Sequence, residues 1–137
     1  MGGLNVRDAA HKVTRALPNG SANVTSDSID LGGGTSEDKV SLAELLISAP
    51  AMNTTEMPDA KTMKYDIVHS DSSNLADPVT LLAAVITQTG AGGAGCAAAS
   101  HRWRPPSTGI KRYVGIKATG SASGNATTAS LTAELLF

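Results

Sequence analysis

Cysteine occurs once in the 137 residues, at Cys96, so no disulfide can form within the chain. A lone thiol suits a reducing compartment, and the fold must be held by packing and hydrogen bonds. Aromatic side chains are scarce too: Trp103, Tyr65, Tyr113 and Phe137 are the whole set. With 21 alanines in the apolar fraction, the core has to be assembled from small and branched aliphatic side chains. Long apolar runs are missing as well. Nothing in the first twenty residues resembles a secretory leader, and the longest later run, 81–86, is far too short to span a bilayer. The expectation is a chain made and kept in the cytosol, with no membrane partner.

Acidic residues are absent from most of one half. Residues 20–77 hold ten acids and three bases, whereas 78–133 hold five bases and no acid, within a net charge of −1. A nucleic-acid reader of this size needs a denser positive face to neutralise phosphates, so no direct nucleic-acid binding is expected. Halves of opposite sign suit lattice contacts with other proteins, although solvated faces of mixed sign are the plainer explanation.

What is abundant is small: Gly, Ala, Ser and Thr supply 63 residues, a composition of short strands and turns. Over 61–69, Met63, Tyr65 and Ile67 alternate with Thr62, Lys64 and Asp66. The tail alternates Ala129, Leu131, Ala133, Leu135 and Phe137 against Thr128, Ser130, Thr132 and Glu134, and 110–118 alternates similarly. Such period-two segments are strands with one buried and one wet face. Residues 81–89 begin apolar on both faces, which predicts a central strand covered on both sides. Ser41-Leu-Ala-Glu44 is a capping-box pattern, but only about nine residues precede Pro50, and strand is the preferred reading there. Gly- and Pro-rich breaks separate six or seven strands, with an eighth expected near 96–103. The fold class is all-β: an antiparallel β-sandwich of jelly-roll type over 21–137. Residues 1–20 are set apart, because apolar positions 6, 9, 10, 13, 16 and 17 have the spacing of a helix face. An N-terminal arm or short helix is expected there, ordered only by docking.

Motifs that would carry chemistry fail on context. Gly90-Ala-Gly92-Gly-Ala-Gly95 satisfies G-x-G-x-x-G after an apolar strand, but Pro105-Pro106 stops any following helix, and no acid stands between Asp77 and Glu134 to hold a ribose. A flexible loop is the expected reading. His11, His69 and His101 have no partners at metal-ligand spacing. Asp66, His69 and Asp71 with Ser70, Ser72 and Ser73 contain the residue types of a hydrolytic triad, but on one short strand end they alternate faces and cannot all converge. No catalytic, cofactor or metal residues are therefore expected, nor an enzyme. Arg102-Trp103-Arg104 can be a contact anchor, or a Trp covering the core between two solvated arginines.

The run Thr25-Ser-Asp-Ser-Ile-Asp-Leu-Gly-Gly-Gly34, the strand Tyr65-Asp-Ile-Val-His-Ser-Asp71, and Ile110-Lys-Arg-Tyr-Val-Gly-Ile-Lys117 before a Gly-rich turn and an alternating final strand carry a resemblance. Over residues 22–137 the chain resembles the capsid cement (decoration) proteins of tailed bacteriophages, more narrowly the jelly-roll family first seen on a short-tailed Bordetella phage. The resemblance implies a non-enzymatic virion protein, made in the bacterial cytoplasm and carried on the outer surface of the head. It implies two partners: the major capsid protein of HK97-like fold, whose neighbouring copies it bridges, and itself as a homo-oligomer, a dimer ahead of a trimer. The acid-free half and the N-terminal segment nominate Arg102, Trp103, Arg104, Lys111 and Arg112, with Val6, Val13 and Leu17, as partner-facing. The alternatives are a carbohydrate- or host-surface-binding module, which needs Trp103 and a tyrosine in one groove, and a small jelly-roll enzyme.

Overall fold

The computed structural model describes residues 7–31, 44–105, 109–121 and 124–136; Val6 and Ser41 lie outside them. Nine strands and no helix occur among the described residues. They are β1 (Arg7–Ala16), β2 (Asn23–Thr25), β3 (Ile29–Asp30), β4 (Glu44–Ala49), β5 (Thr62–Ser70), β6 (Val79–Thr89), β7 (Ala99–Trp103), β8 (Tyr113–Gly120) and β9 (Ser130–Leu136). Two antiparallel sheets result, ordered β1-β9-β4-β7 and β2-β8-β5-β6, with β3 also paired to β8. β2 and β3 lie end to end along β8, Asn23 opposite Thr119 and Asp30 opposite Tyr113. Counted as one interrupted strand they leave eight, and the two orders are those of a jelly roll. The expected sandwich is therefore the observed fold, and β7 supplies the strand expected near 96–103.

Period-two patterning sorts the faces. Leu131, Ala133 and Leu135 of β9 and Leu45 and Ile47 of β4 point into the core, against Tyr65, Ile67, Ile116 and Ala118 of the second sheet. Each fully buried Leu or Ile contributes about 1.5–3 kcal/mol relative to exposure. Alanines at 118 and 133, both fully buried, leave room for Tyr65. That ring is the largest side chain in the core, and burial pushes its hydroxyl well above the ordinary tyrosine pKa. Its Oη donates to Gln88 Oε1 at 2.7 Å, while Gln88 Nε2 donates to the carbonyls of Pro50 at 2.8 Å and Ala97 at 2.9 Å. One buried amide thus ties β5 and β6 to both connections at that end.

Three expectations are corrected. Of the two readings of the N-terminal segment, the short helix is overturned and the extended arm agrees with the described part: 7–16 is strand β1, in register with β9 from Lys12 opposite Glu134 to Ala16 opposite Ser130. A dozen residues cannot hold a helix alone in water, whereas the edge of β9 offers a ladder, and Val13 packs onto the core from it. The second correction concerns 81–89, which is not central. Among the described residues β6 is an edge strand of the second sheet, paired only with β5. Its pairing with β5 slips at two places. At one of them Ala84, at φ 51°, donates its N–H to Asp66 Oδ1 at 2.7 Å.

The third is the glycine-rich segment, which is built rather than loose. Cys96 and Met52 exchange backbone hydrogen bonds at 2.9 and 3.0 Å, and Asp59 Oδ1 accepts from Gly93 N at 2.9 Å. Gly95 sits at φ +71° with the Met52 carbonyl where a Cβ would stand, so only glycine fits.

Candidate partner-binding surfaces

Strand registers place the nominated basic residues at one end of the sandwich. Asp30 lies opposite Tyr113, and Tyr113 opposite Ser70, at the end of the second sheet where β8 begins. β7 finishes at the corresponding end of the first sheet, Trp103 opposite Leu45. Arg102, Trp103, Arg104, Lys111 and Arg112 thus flank the single β7–β8 connection. The N-terminal candidates lie elsewhere: Val13 is in mid-strand, and Leu17 is at the opposite end, beside Ala129. Leu17 is only 1% exposed. As a core residue it cannot face a partner, and its nomination is corrected, because its apolar character serves packing where β1 leaves the sheet.

The charge asymmetry of the sequence folds back on itself. Arg102 pairs with Glu44 at 3.6 Å, Lys111 with Asp71 at 3.9 Å, and Arg112 with Asp30 at 2.8 Å. In each pair a base from the acid-free half meets an acid from the acidic half. The Arg112 guanidinium also lies over the Tyr113 ring, 5.1 Å from its centre. Arg104 is exposed and makes no ion pair among the described residues. Trp103 faces inward and is half-buried against the core, so the plainer of its two readings, a ring covering the core, describes its placement.

His69 is buried at this end, and its Nδ1 accepts a hydrogen bond from Lys111 N at 3.1 Å. Burial holds its pKa below the ordinary value, Lys111 adds in the same direction, and Asp71 opposes. Asp66 faces the other side of β5 and accepts from Ala84. Ser70 Oγ donates to the Ala76 carbonyl at 2.6 Å, so serine, histidine and aspartate are committed to separate structural contacts. Among the described residues no group of three or more His, Cys, Asp or Glu is placed to hold a metal. Trp103, Tyr65 and Tyr113 do not share a groove: Tyr65 is fully buried, and Tyr113 lies beneath Arg112 in the other sheet from Trp103.

Two surfaces escaped the sequence reading. On the outer face of the first sheet, Thr14, Thr132, Ser48 and Ser100 stand in one row across all four strands. Beside them runs a second row, Lys12, Glu134, Leu46 and Arg102. Alternation alone marks each as outward, but only the register lines them up. The other is β6, which carries the two exposed large apolar side chains of the described residues, Val79 at 47% and Leu82 at 37%. The missing signal was which neighbour β6 lacks. Two open clefts lie away from β6, one of about 420 Å³ between 25–28 and 73–75, the other of about 500 Å³ beside Arg15, Leu17 and Val24.

No known protein family matches the sequence, and no curated protein matches it. Among solved structures the chain is similar to one from the naturally occurring empty particles (top component) of cowpea mosaic virus. That likeness has 7% identity and a TM-score of 0.41, over 96% of this chain and 78% of the other. It is also similar to a CBM4 structure, at 14% identity and a TM-score of 0.37, over 93% of this chain and 92% of that one.

Proposed function

We propose that this chain is a structural protein of a virus particle, held on the outside of the head, where it cements neighbouring copies of a major capsid protein of HK97-like fold. The observation that carries the reading is the outer face of the first sheet. Its hydroxyl row crosses four strands with short side chains, which lose little rotamer entropy on docking, and the row alongside carries three charged groups, Lys12, Glu134 and Arg102, to fix orientation. Such a face suits a broad, shallow contact with another folded protein. A glycan-binding role finds no shared aromatic platform among Trp103 and the two tyrosines.

The mechanism is linkage. A protein that binds the assembled lattice but not the free subunit stabilises the lattice by RT ln(1 + [L]/Kd), about 2.7 kcal/mol per site at a hundred times Kd. A homo-oligomer that grips two subunits gains further because its second contact is intramolecular. The shell then resists the pressure of packaged DNA with no reaction catalysed. The test is add-back of the purified chain to heads of the same virus stripped of it. Saturable co-sedimentation and a higher temperature of DNA release are expected; heads that neither bind it nor gain heat resistance overturn the reading.

A further inference from the structure

Arg15 stands where a sandwich ordinarily places an apolar side chain. It lies directly across from Leu131, a core residue, and two positions along β1 from Val13, which packs on the same core. Residues opposite one another share a face of the sheet, so Arg15 belongs to the inner face of the first sheet. It is nonetheless exposed, because the cleft of about 500 Å³ opens beside it. Leu17 and Pro18, both buried, and half-buried Val24 give that cleft an apolar floor, while Asn19 and Thr127 add neutral polar groups. Arg15 is the only charged residue in the lining.

That charge is unmatched. Arg102, Lys111 and Arg112 each meet an acid, whereas Arg15 has neither ion pair nor hydrogen bond among the described residues. Asp27, on the link after β2, lines the other cleft, and Asp30 is held by Arg112.

We infer that this cleft receives a carboxylate side chain of the shell protein, carried on an extended acidic and aliphatic segment that lies along β1. The guanidinium fork matches a carboxylate, and the apolar floor takes the aliphatic neighbours and thins the water around the pair. One base among neutral groups suits a single negative charge; a phosphate chain needs several. Among the described residues β1 and β2 are sheet edges, and β1 contacts β2 and β3, so the free backbone groups near the cleft favour a main chain over a small acid. Thr14 lines the same cleft and begins the hydroxyl row, so a seated segment continues the contact of the first sheet's outer face around its edge. The inference deepens the cementing reading and rests on it. Its rival is an inward charge that merely keeps the edge of β1 from pairing, a role that needs no ligand.

The experiment uses heads stripped of this chain and add-back of variants checked as folded by far-UV circular dichroism. Arg15→Gln should attach about tenfold more weakly than wild type and Arg15→Glu about a hundredfold, with both deficits shrinking as salt rises. Arg15→Lys supplies an amine that a carbodiimide joins to a carboxylate in contact with it. On reconstituted heads, peptide mass mapping should find position 15 linked to an Asp or Glu of the shell protein. Arg15→Glu attaching as wild type does, no link through position 15, or a link from it to an acid of the same chain overturns the inference. Heads that bind wild type and Arg15→Glu alike leave the cementing reading standing without this cleft; heads that bind neither sink that reading and this inference with it.

Discussion

Arg112 and Asp30, 82 residues apart in the chain, meet through two parallel hydrogen bonds, Nε to Oδ1 at 2.8 Å and Nη2 to Oδ2 at 2.9 Å. This fork joins the short strand β3 to the start of β8 and spans the acidic and basic halves of the sequence. Arg112→Lys keeps the charge and loses the fork. Because both partners are near half-exposed, the expected fall in unfolding temperature is small at low salt and vanishes at high salt. Thermal unfolding of both proteins at two ionic strengths decides it.

The buried amide at position 88 has much larger stakes. Gln88→Leu keeps the volume but leaves the Tyr65 hydroxyl and the Pro50 and Ala97 carbonyls without their partner. Each stranded group costs about 1–3 kcal/mol, so the variant is expected to lose at least about 3 kcal/mol in urea unfolding. Tyr65→Phe removes a single donor and should lose about 1–2 kcal/mol. Equal losses in the two variants would mean that the carbonyl contacts contribute nothing.

Most of the sandwich was legible because alternation at 63–67, 114–118 and 131–135 states which side chains go inward whatever lies beside them. What alternation cannot state is the neighbour. Residues 81–86 read as central because apolar character on both faces implies cover, and nothing in the sequence says whether that cover comes from the same molecule. The segment now seen as β1 misled for a related reason. Its apolar positions fit a helix locally, and the competing partner, β9, lies over a hundred residues away. The basic residues themselves were legible, but the acids that pair with three of them were not, since ion pairs such as Arg102 with Glu44 depend on register.

His69 makes the fold sensitive to acid. Its Nδ1 must be unprotonated to accept from Lys111 N, and its folded pKa lies below the unfolded value of about 6.5. With the folded value depressed, the unfolded chain binds more protons between the two, so stability falls as pH drops. The contribution is complete above about 6.5 and is lost as pH falls from there through the folded pKa. His69→Asn can present Oδ1 to the same N–H without titrating, and the expected outcome is a flatter stability profile in this window. A profile unchanged by the substitution would place the acid sensitivity elsewhere.

The hydroxyl row can be tested apart from β6 because the two lie on different sheets. Thr132 is half-buried in the middle of the first sheet's outer face, so Thr132→Arg plants a long charged side chain between Thr14 and Ser48 without touching the core. Attachment to heads should weaken at least tenfold, while far-UV circular dichroism and the light-scattering mass stay those of the wild type. Arg102→Glu with Arg104→Glu probes the adjoining end. Arg102 sits in the neighbouring row, paired with Glu44, and the reversal sets two carboxylates side by side there. If the shell contact follows the face, Thr132→Arg abolishes attachment and the double reversal only weakens it, more so at low salt. If instead the double reversal abolishes attachment and Thr132→Arg leaves it intact, the shell meets the basic end of the sandwich and the hydroxyl row is ordinary wet surface.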